Sequence, residues 1–153
     1  VWQKNLASRG VHGAQAAKVR VDTLTGRVEV IQMACMQDCG LPLNRAAIRS
    51  QLNGGMVQSL SYALLEERVI DPDLGIMLNA NLEDYKLAAA LEIPPMEAMI
   101  DDDDDRQAPI GIGEPAVIPG HGAIANAVFN ACGARVRDLP LTPDKVLAAL
   151  GRV

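Results

Sequence analysis

Between residues 16 and 36 the chain alternates apolar and polar side chains in two runs joined by a turn. Ala16 to Asp22 reads AAKVRVD, with Lys18, Arg20 and Asp22 alternating against Ala17, Val19 and Val21. That period of two belongs to a strand with one face on a core and the other on water. Thr23-Leu24-Thr25-Gly26 supplies the turn, and Gly26 is free to take a positive φ. Arg27 to Met36, RVEVIQMACM, resumes the pattern. Here Val28, Val30 and Gln32 fall on one face, and Ile31, Met33 and Cys35 on the other. The two runs predict a β-hairpin and commit the fold to contain a sheet.

The rest of the chain reads as helices and short strands. After a loop at Gln37 to Asn44, Ile48, Leu52, Met56, Leu60, Ala63 and Leu64 recur at spacings of three and four. They predict a helix from about Arg45 to Glu67 with one buried stripe. Gly54 and Gly55 sit inside it at a cost of about 2 kcal/mol against alanine. Either something approaches the backbone closely there, or the helix starts after them. Val69-Ile70 and Ile76 to Leu78 flank an Asp-Pro-Asp-Leu-Gly turn and predict a short hairpin. Asn79 to Leu91 is alanine-rich and helix-friendly but ends at Pro94-Pro95, and Met96 to Ile100 fits a strand. The aspartates from Asp101 to Asp105 repel one another and are expected to be exposed. Ala108 to Gly113 is a loop, and Gly122 to Cys132 a helix stopped by Gly133. A third helix opens at Thr142-Pro143, with Thr142 as its cap, and runs to Leu150. The sum is an α+β fold, a hairpin and short strands packed by two or three helices. Residues 1–153 read as one domain, with a core including Val19, Val30, Ile31, Leu52, Leu60, Leu64, Ile124 and Val128.

Composition narrows the function. Hydrophobic residues make 49% and charged residues 22%, which suits a packed core and not a disordered tail. A net charge of −5 argues against a nucleic-acid partner, which requires a basic patch. Trp2, Tyr62, Tyr85 and Phe129 are few aromatics for base stacking. No apolar run is long enough to span a membrane, and no export signal opens the chain. It begins at Val1 and not at Met, so it reads as trimmed or cut from something longer. Cys35, Cys39 and Cys132 are an odd set, better suited to free thiols than to a disulfide framework.

Two glycine-rich motifs carry the chemistry. Gly111-Ile112-Gly113-Glu114-Pro115 places a carboxylate directly after two glycines. In a poorly solvated loop such a carboxylate suits a general base; the plainer reading is an exposed loop glutamate. Gln51-Leu52-Asn53-Gly54-Gly55 offers amides to a heteroatom-rich ligand, with glycines that let it lie close; the plainer reading is a loosely packed helix start. Cys35, Cys39, Cys132, His12 and His121 lack the second ligand pair of a zinc site, so no metal ligand is assigned. Gly111-Ile112-Gly113 lacks the third glycine of a dinucleotide fingerprint. The aspartate run lacks the glycine and distal glutamate of a calcium loop.

Taken in order, the pieces resemble one family. VRVDTLTGRVEV leads to Asp38-Cys39-Gly40, Leu43-Asn44, Gln51-x2-Gly54-Gly55-x2-Gln58 and Tyr62-Ala63-Leu64-x-Glu66-Glu67. Asn81-x2-Asp84-Tyr85-Lys86, Gly111-Ile112-Gly113-Glu114-Pro115 and Ala123 to Val128 follow, and the end is Gly133 to Pro143. The series is similar to the C-terminal part of the molybdenum-binding subunit of the xanthine dehydrogenase/aldehyde oxidase family. The resemblance implies the second molybdopterin-binding domain type and molybdenum hydroxylase chemistry on an aldehyde or N-heterocycle. It implies that Glu114 is the base that takes a proton from the metal-bound hydroxide. By the same token Gln51 hydrogen-bonds the pterin, and Gly54, Gly55, Gly111 and Gly113 admit the cofactor closely. The cofactor would be molybdenum-molybdopterin, plain or in its cytosine dinucleotide form. Iron–sulfur clusters and FAD would sit on other chains or domains.

The sequence departs from the family at Ser50 for glycine, Arg45 for proline, and Gln58-Ser59-Leu60-Ser61 for Gln-Gly-x-Gly. Whole subunits in the family are several times longer, so the chain reads as a C-terminal fragment or one piece of a split subunit. Its expected partners are the rest of the molybdenum subunit, an iron–sulfur subunit, a flavin subunit and a small-molecule substrate. The alternative is a non-catalytic α+β binding or scaffold module that keeps the fold without the cofactor. The compartment stays open, with cytoplasm slightly favoured over periplasm.

Overall fold

The computed structural model describes residues 11–101 and 108–152. Strand β1 (Gly13–Val21) pairs antiparallel with β2 (Val28–Gln37), forming the expected hairpin. The turn between them is tied by Asp22, whose Oδ1 accepts the amides of Leu24 at 2.9 Å and Thr25 at 3.3 Å. Helix α1 (Arg45–Leu64) follows, and β3 (Met96–Ile100) then pairs parallel with β2. The sheet order is β1-β2-β3. A parallel pair needs a long crossover, and α1 with the segment to residue 95 provides it. Helices α2 (Gly120–Cys132) and α3 (Pro143–Ala149) complete the α+β fold.

The core lies between one face of the sheet and the helices. Val30, Met33 and Cys35 meet Leu52, Met56, Leu60 and Ala63 of α1 and Ile124 and Val128 of α2, all buried. Val146 of α3 and Leu141 join the same cluster, and the Leu141 amide donates to the Ala63 carbonyl at 2.7 Å. Val19 and Leu64 are half-buried at its margin.

Strand β2 corrects the expected face assignment. Lys18 pairs with Gln32 but Val19 with Val30, so Ile31 is an extra, unpaired residue. This bulge flips the phase of the strand. Val28 and Val30 before it therefore share the core side with Met33, Cys35 and Gln37 after it. Ile31 itself is half-buried and stays outside the core cluster.

Helix α1 runs unbroken through Gly54 and Gly55 and is capped by Asn44, whose side chain accepts the Ala47 amide at 3.0 Å. It stops at Leu64, short of Glu67, because buried Asn79 captures the chain beyond. The Asn79 amide donates to the Glu67 carbonyl at 2.7 Å, and its oxygen accepts the Val69 amide at 3.0 Å. The short hairpin at Asp71 forms with an Ile70–Met77 bridge. Residues 79–91 do not form the helix their composition favours. Asn81 caps a single turn by accepting the amides of Glu83 and Asp84, and only a short 3-10 turn at Ala90–Glu92 follows. Helix α2 begins two residues earlier than its pattern suggests, at Gly120, and ends at Gly133 in the left-handed conformation. Thr142 precedes α3, but its side chain makes no capping bond. Of the aspartate run only Asp101 is described; it is partly buried, and the others lie outside the described residues.

Candidate functional site

The two glycine-rich motifs meet. Gln51 sits on α1, and its Nε2 donates to the Gly113 carbonyl at 2.8 Å, across 62 residues of sequence. Gly113 has φ +42°, a conformation that favours glycine, and Glu114 follows it at the start of a 3-10 turn, Pro115–Val117. One helical turn beyond Gln51, Gly55 packs on Ala116. A Cβ built there would lie 2.7 Å from the Ala116 carbonyl carbon and Cβ. The close approach at the glycine pair is made by the chain itself, so Gly55 faces Ala116 and not the open surface expected of a glycine that admits the cofactor. Helix α1 thus carries the amide and also supports the turn that presents the carboxylate.

The remaining glycines face outward. A Cβ at Gly54, Gly111 or Gly113 would meet nothing within 4 Å. Gly54 follows Gln51 by three residues and shares its side of α1. The second N–H and the oxygen of the Gln51 amide have no partner among the described residues. Beside Gln51 lies an apolar hollow of about 210 Å³, lined by Cys39, Leu41, Leu43, Ile48, Ile110 and Ile112. A larger groove of about 600 Å³, between the hairpin and residues 91–95, shares no residue with this surface.

Of the two readings of its motif, the structure gives Glu114 the plainer one. It is exposed, not enclosed in a poorly solvated loop. It stands where the loop turns off the helical layer, and the chain's own apolar residues lie behind it, around buried Ala116.

Two of the Gly-to-Ser departures, Ser59 and Ser61, have structural roles. Buried Ser59 returns its hydroxyl to the Met56 carbonyl at 3.0 Å, and Ser61 Oγ accepts the Ala88 amide at 3.0 Å. Among the described residues no disulfide links the three cysteines, and no cluster of three metal-ligating side chains exists. His121 stands in the first turn of α2.

Sequence reasoning gave no role to three polar residues near this surface. Buried Asp38 accepts the Gly40 amide at 2.8 Å, a bond that its Asp-x-Gly spacing signals. His12 bridges Asp38 and Asp101, 3.4 Å from each. Gln15, half-buried on β1, donates to the Ala116 carbonyl and, at 3.5 Å, to Cys35 Sγ. Burial pushes the Cys35 thiol up, against a smaller opposing pull from that amide. Gln15 lies in phase with inward-facing Ala17, Val19 and Val21, and an amide in that phase is the missed signal.

Residues 3–94 match the family described as the molybdopterin cofactor-binding domain. The chain belongs to that family. The match includes Gln51, Gly54 and Gly55, whereas the Gly111–Glu114 loop lies beyond it. The chain is 39% identical over 137 residues to the aldehyde oxidoreductase molybdenum-binding subunit PaoC of Escherichia coli K12, covering 87% of this chain and 19% of that protein. It is 35% identical over 138 residues to a subunit of the nicotinate dehydrogenase of Pseudomonas putida, covering 90% of this chain and 11% of that one. The fold superposes on the aldehyde oxidoreductase of Desulfovibrio desulfuricans with a TM-score of 0.80 and 31% identity, over 91% of this chain and 15% of that one. The chain therefore spans less than a fifth of the length of these relatives. Among the described residues no helix is long and apolar enough to cross a membrane.

Proposed function

We propose that residues 1–153 are one domain of a longer molybdenum-binding subunit, and that this domain supplies the general base and part of the pterin site of a hydroxylase. The observation that carries this reading is the Gln51–Gly113 hydrogen bond. It joins the amide motif and the carboxylate motif into one surface faced by bare glycine backbone. The residues present fit a flat, heteroatom-rich cofactor: Gln51 keeps a free carbonyl and an N–H, and Gly54, Gly111 and Gly113 leave room for close approach. When bound, the molybdenum–pterin group supplies the two-electron oxidation.

This chain's residues supply binding and proton transfer. Gln51 orients the pterin edge, while its bond to Gly113 fixes the loop. Glu114 accepts the proton of the attacking oxygen nucleophile. Its exposure here leaves it open to the walls that the rest of the enzyme contributes, and those walls exclude water when the site is closed. Aldehydes and N-heterocycles are the substrate class, in keeping with relatives named for aldehyde and nicotinate oxidation. The partners that would take up the electrons are an iron–sulfur subunit and a flavin subunit. Assembly is supported by the many exposed apolar side chains of residues 74–91, Leu74, Ile76, Leu78, Leu82, Leu87 and Leu91.

The test is Glu114→Gln in the complete enzyme. The amide keeps the shape but cannot accept the proton, so turnover falls by about 10²–10⁴-fold. Molybdenum and pterin contents stay near wild type. Gln51→Ala loses cofactor instead. Near-normal turnover of Glu114→Gln with full metal would refute the assignment.

A further inference from the structure

The Glu114 segment is held from both sides by amides. On one side Gln51 donates to the Gly113 carbonyl, the residue before the glutamate. On the other side Gln15 donates to the Ala116 carbonyl, two residues after it. Gln15 comes from the sheet and Gln51 from the helix, so the segment is fixed between the two layers. The contact is partly buried. Ala116 is 2% exposed, and its backbone is pressed against Gly55.

Gln15 is itself locked. Its second donor direction meets Cys35 Sγ at 3.5 Å, and its Oε1 is buried without a hydrogen-bond partner among the described residues. That oxygen lies against Gly120, where an added Cβ would collide both with it and with Ser59 Oγ. A buried, unpartnered amide oxygen is destabilising, because it has lost its water without gaining a donor. An apolar residue at position 15 would avoid that cost, since Ala17, Val19 and Val21 in the same phase are apolar. What the amide provides is its N–H donors, one to the long Cys35 Sγ contact and one to the Ala116 carbonyl.

We infer that Gln15 is a positioning residue for Glu114, fixing the Ala116 carbonyl so that the carboxylate is presented from a rigid turn. The inference rests on the reading of Glu114 as the base. Gln15 does not itself touch the reacting atoms. Its loss lets the 111–118 segment move, and misplacement of a reacting group by about 1 Å is worth up to about 10²-fold in rate.

The experiment uses the complete molybdenum-loaded enzyme with Gln15→Met, which keeps length and apolar fit but has no N–H. Turnover number falls by about 10–10²-fold while KM changes by less than about twofold. Molybdenum and pterin contents are unchanged. Amide hydrogen exchange rises in the 111–118 peptide and not in α3. Gln15→Met added to Glu114→Gln slows the enzyme no further, because the amide acts through the glutamate.

Gln15→Glu gives a second arm. Its carboxyl donates to the Ala116 carbonyl only when protonated, and burial favours that form. Its turnover relative to wild type therefore recovers as pH falls. Failure of the inference is distinct from failure of the base assignment. If Glu114→Gln is slow but Gln15→Met matches wild type in turnover and exchange, Gln15 has no positioning role. The same conclusion follows if the two substitutions are additive, or if the Gln15→Glu ratio is flat with pH. If Glu114→Gln turns over normally, the base assignment itself falls.

Discussion

Gly54 and Gly55 are adjacent in one helix, yet alanine should act on them with opposite sign. Each replacement gains about 1 kcal/mol of helix propensity. At Gly54 nothing lies within 4 Å of the added Cβ, so Gly54→Ala stabilises the chain by about that amount. At Gly55 the Cβ would lie 2.7 Å from two atoms of Ala116 and 3.0 Å from its carbonyl oxygen. Two of these three are backbone atoms, held further by Gln15, so the strain cannot be relieved by a rotamer change. Overpacking of this kind costs about 1–3 kcal/mol, leaving Gly55→Ala neutral or destabilising by up to about 2 kcal/mol. Helix propensity cancels in the comparison, which isolates the contact with Ala116. For a chain of this size the gap corresponds to about 2–12 °C in Tm. Thermal and urea denaturation followed by circular dichroism measure it, with an unchanged urea m-value confirming a common unfolded state. Equal stabilisation by both alanines would show that α1 does not press on Ala116, and the support proposed for Glu114 would be lost. In the loaded enzyme Gly54→Ala should nevertheless weaken cofactor retention, because the face it fills is the one left open for the pterin.

Leu52 is fully buried at the centre of the α1 stripe, so Leu52→Ala should cost about 2–5 kcal/mol, read as a lower urea midpoint. The Asp22 carboxyl is held below its ordinary range, first by the Leu24 amide and then by the hydroxyl and amide of Thr25. Its folded pKa is lower than the unfolded value of about 3.9, so its stabilisation is complete above that value and fades as pH falls through the folded pKa. Asp22→Asn should therefore flatten the loss of stability below about pH 4 and leave the slope near neutrality unchanged, as urea titrations across that range would show.

The hairpin, the α1 stripe, the Gly133 stop and the α+β class could be read from local pattern because each depends on residues close in sequence. What escaped depends on distant partners. The bulge at Ile31 is a slip in pairing with Lys18 and Val19. Within β2 alone, Ile31, Met33 and Cys35 look like one apolar face. The end of α1 is set by Asn79, twelve residues beyond Glu67, and no property of Glu66-Glu67-Arg68 reports it. Residues 79–91 have helical composition, but side-chain bonds of Asn81 compete with helix formation, as Asx turns do. At the site, both glycine motifs were visible as compositions, and so was the need for close approach at the glycine pair. That Gln51 reaches the Gly113 carbonyl was not legible, since nothing local links positions 62 residues apart. Local pattern also left open whether Glu114 is enclosed or exposed. Glycines and apolar neighbours suggest enclosure, whereas solvation depends on what lies across the loop.

The Gln51–Gly113 bond also has a mechanical meaning. Below that exposed bond Gly55 packs on buried Ala116, and because close-packed protein interiors transmit displacement and do not absorb it, a helix and a loop joined at such a contact travel as one body. Any rocking of this domain against its neighbours shifts the amide and the carboxylate by the same vector. Their mutual spacing is insulated from such motion, and only their shared offset from the rest of the enzyme can drift. Alignment of the centre then depends on the seating of a single rigid unit, not on two independently wandering parts.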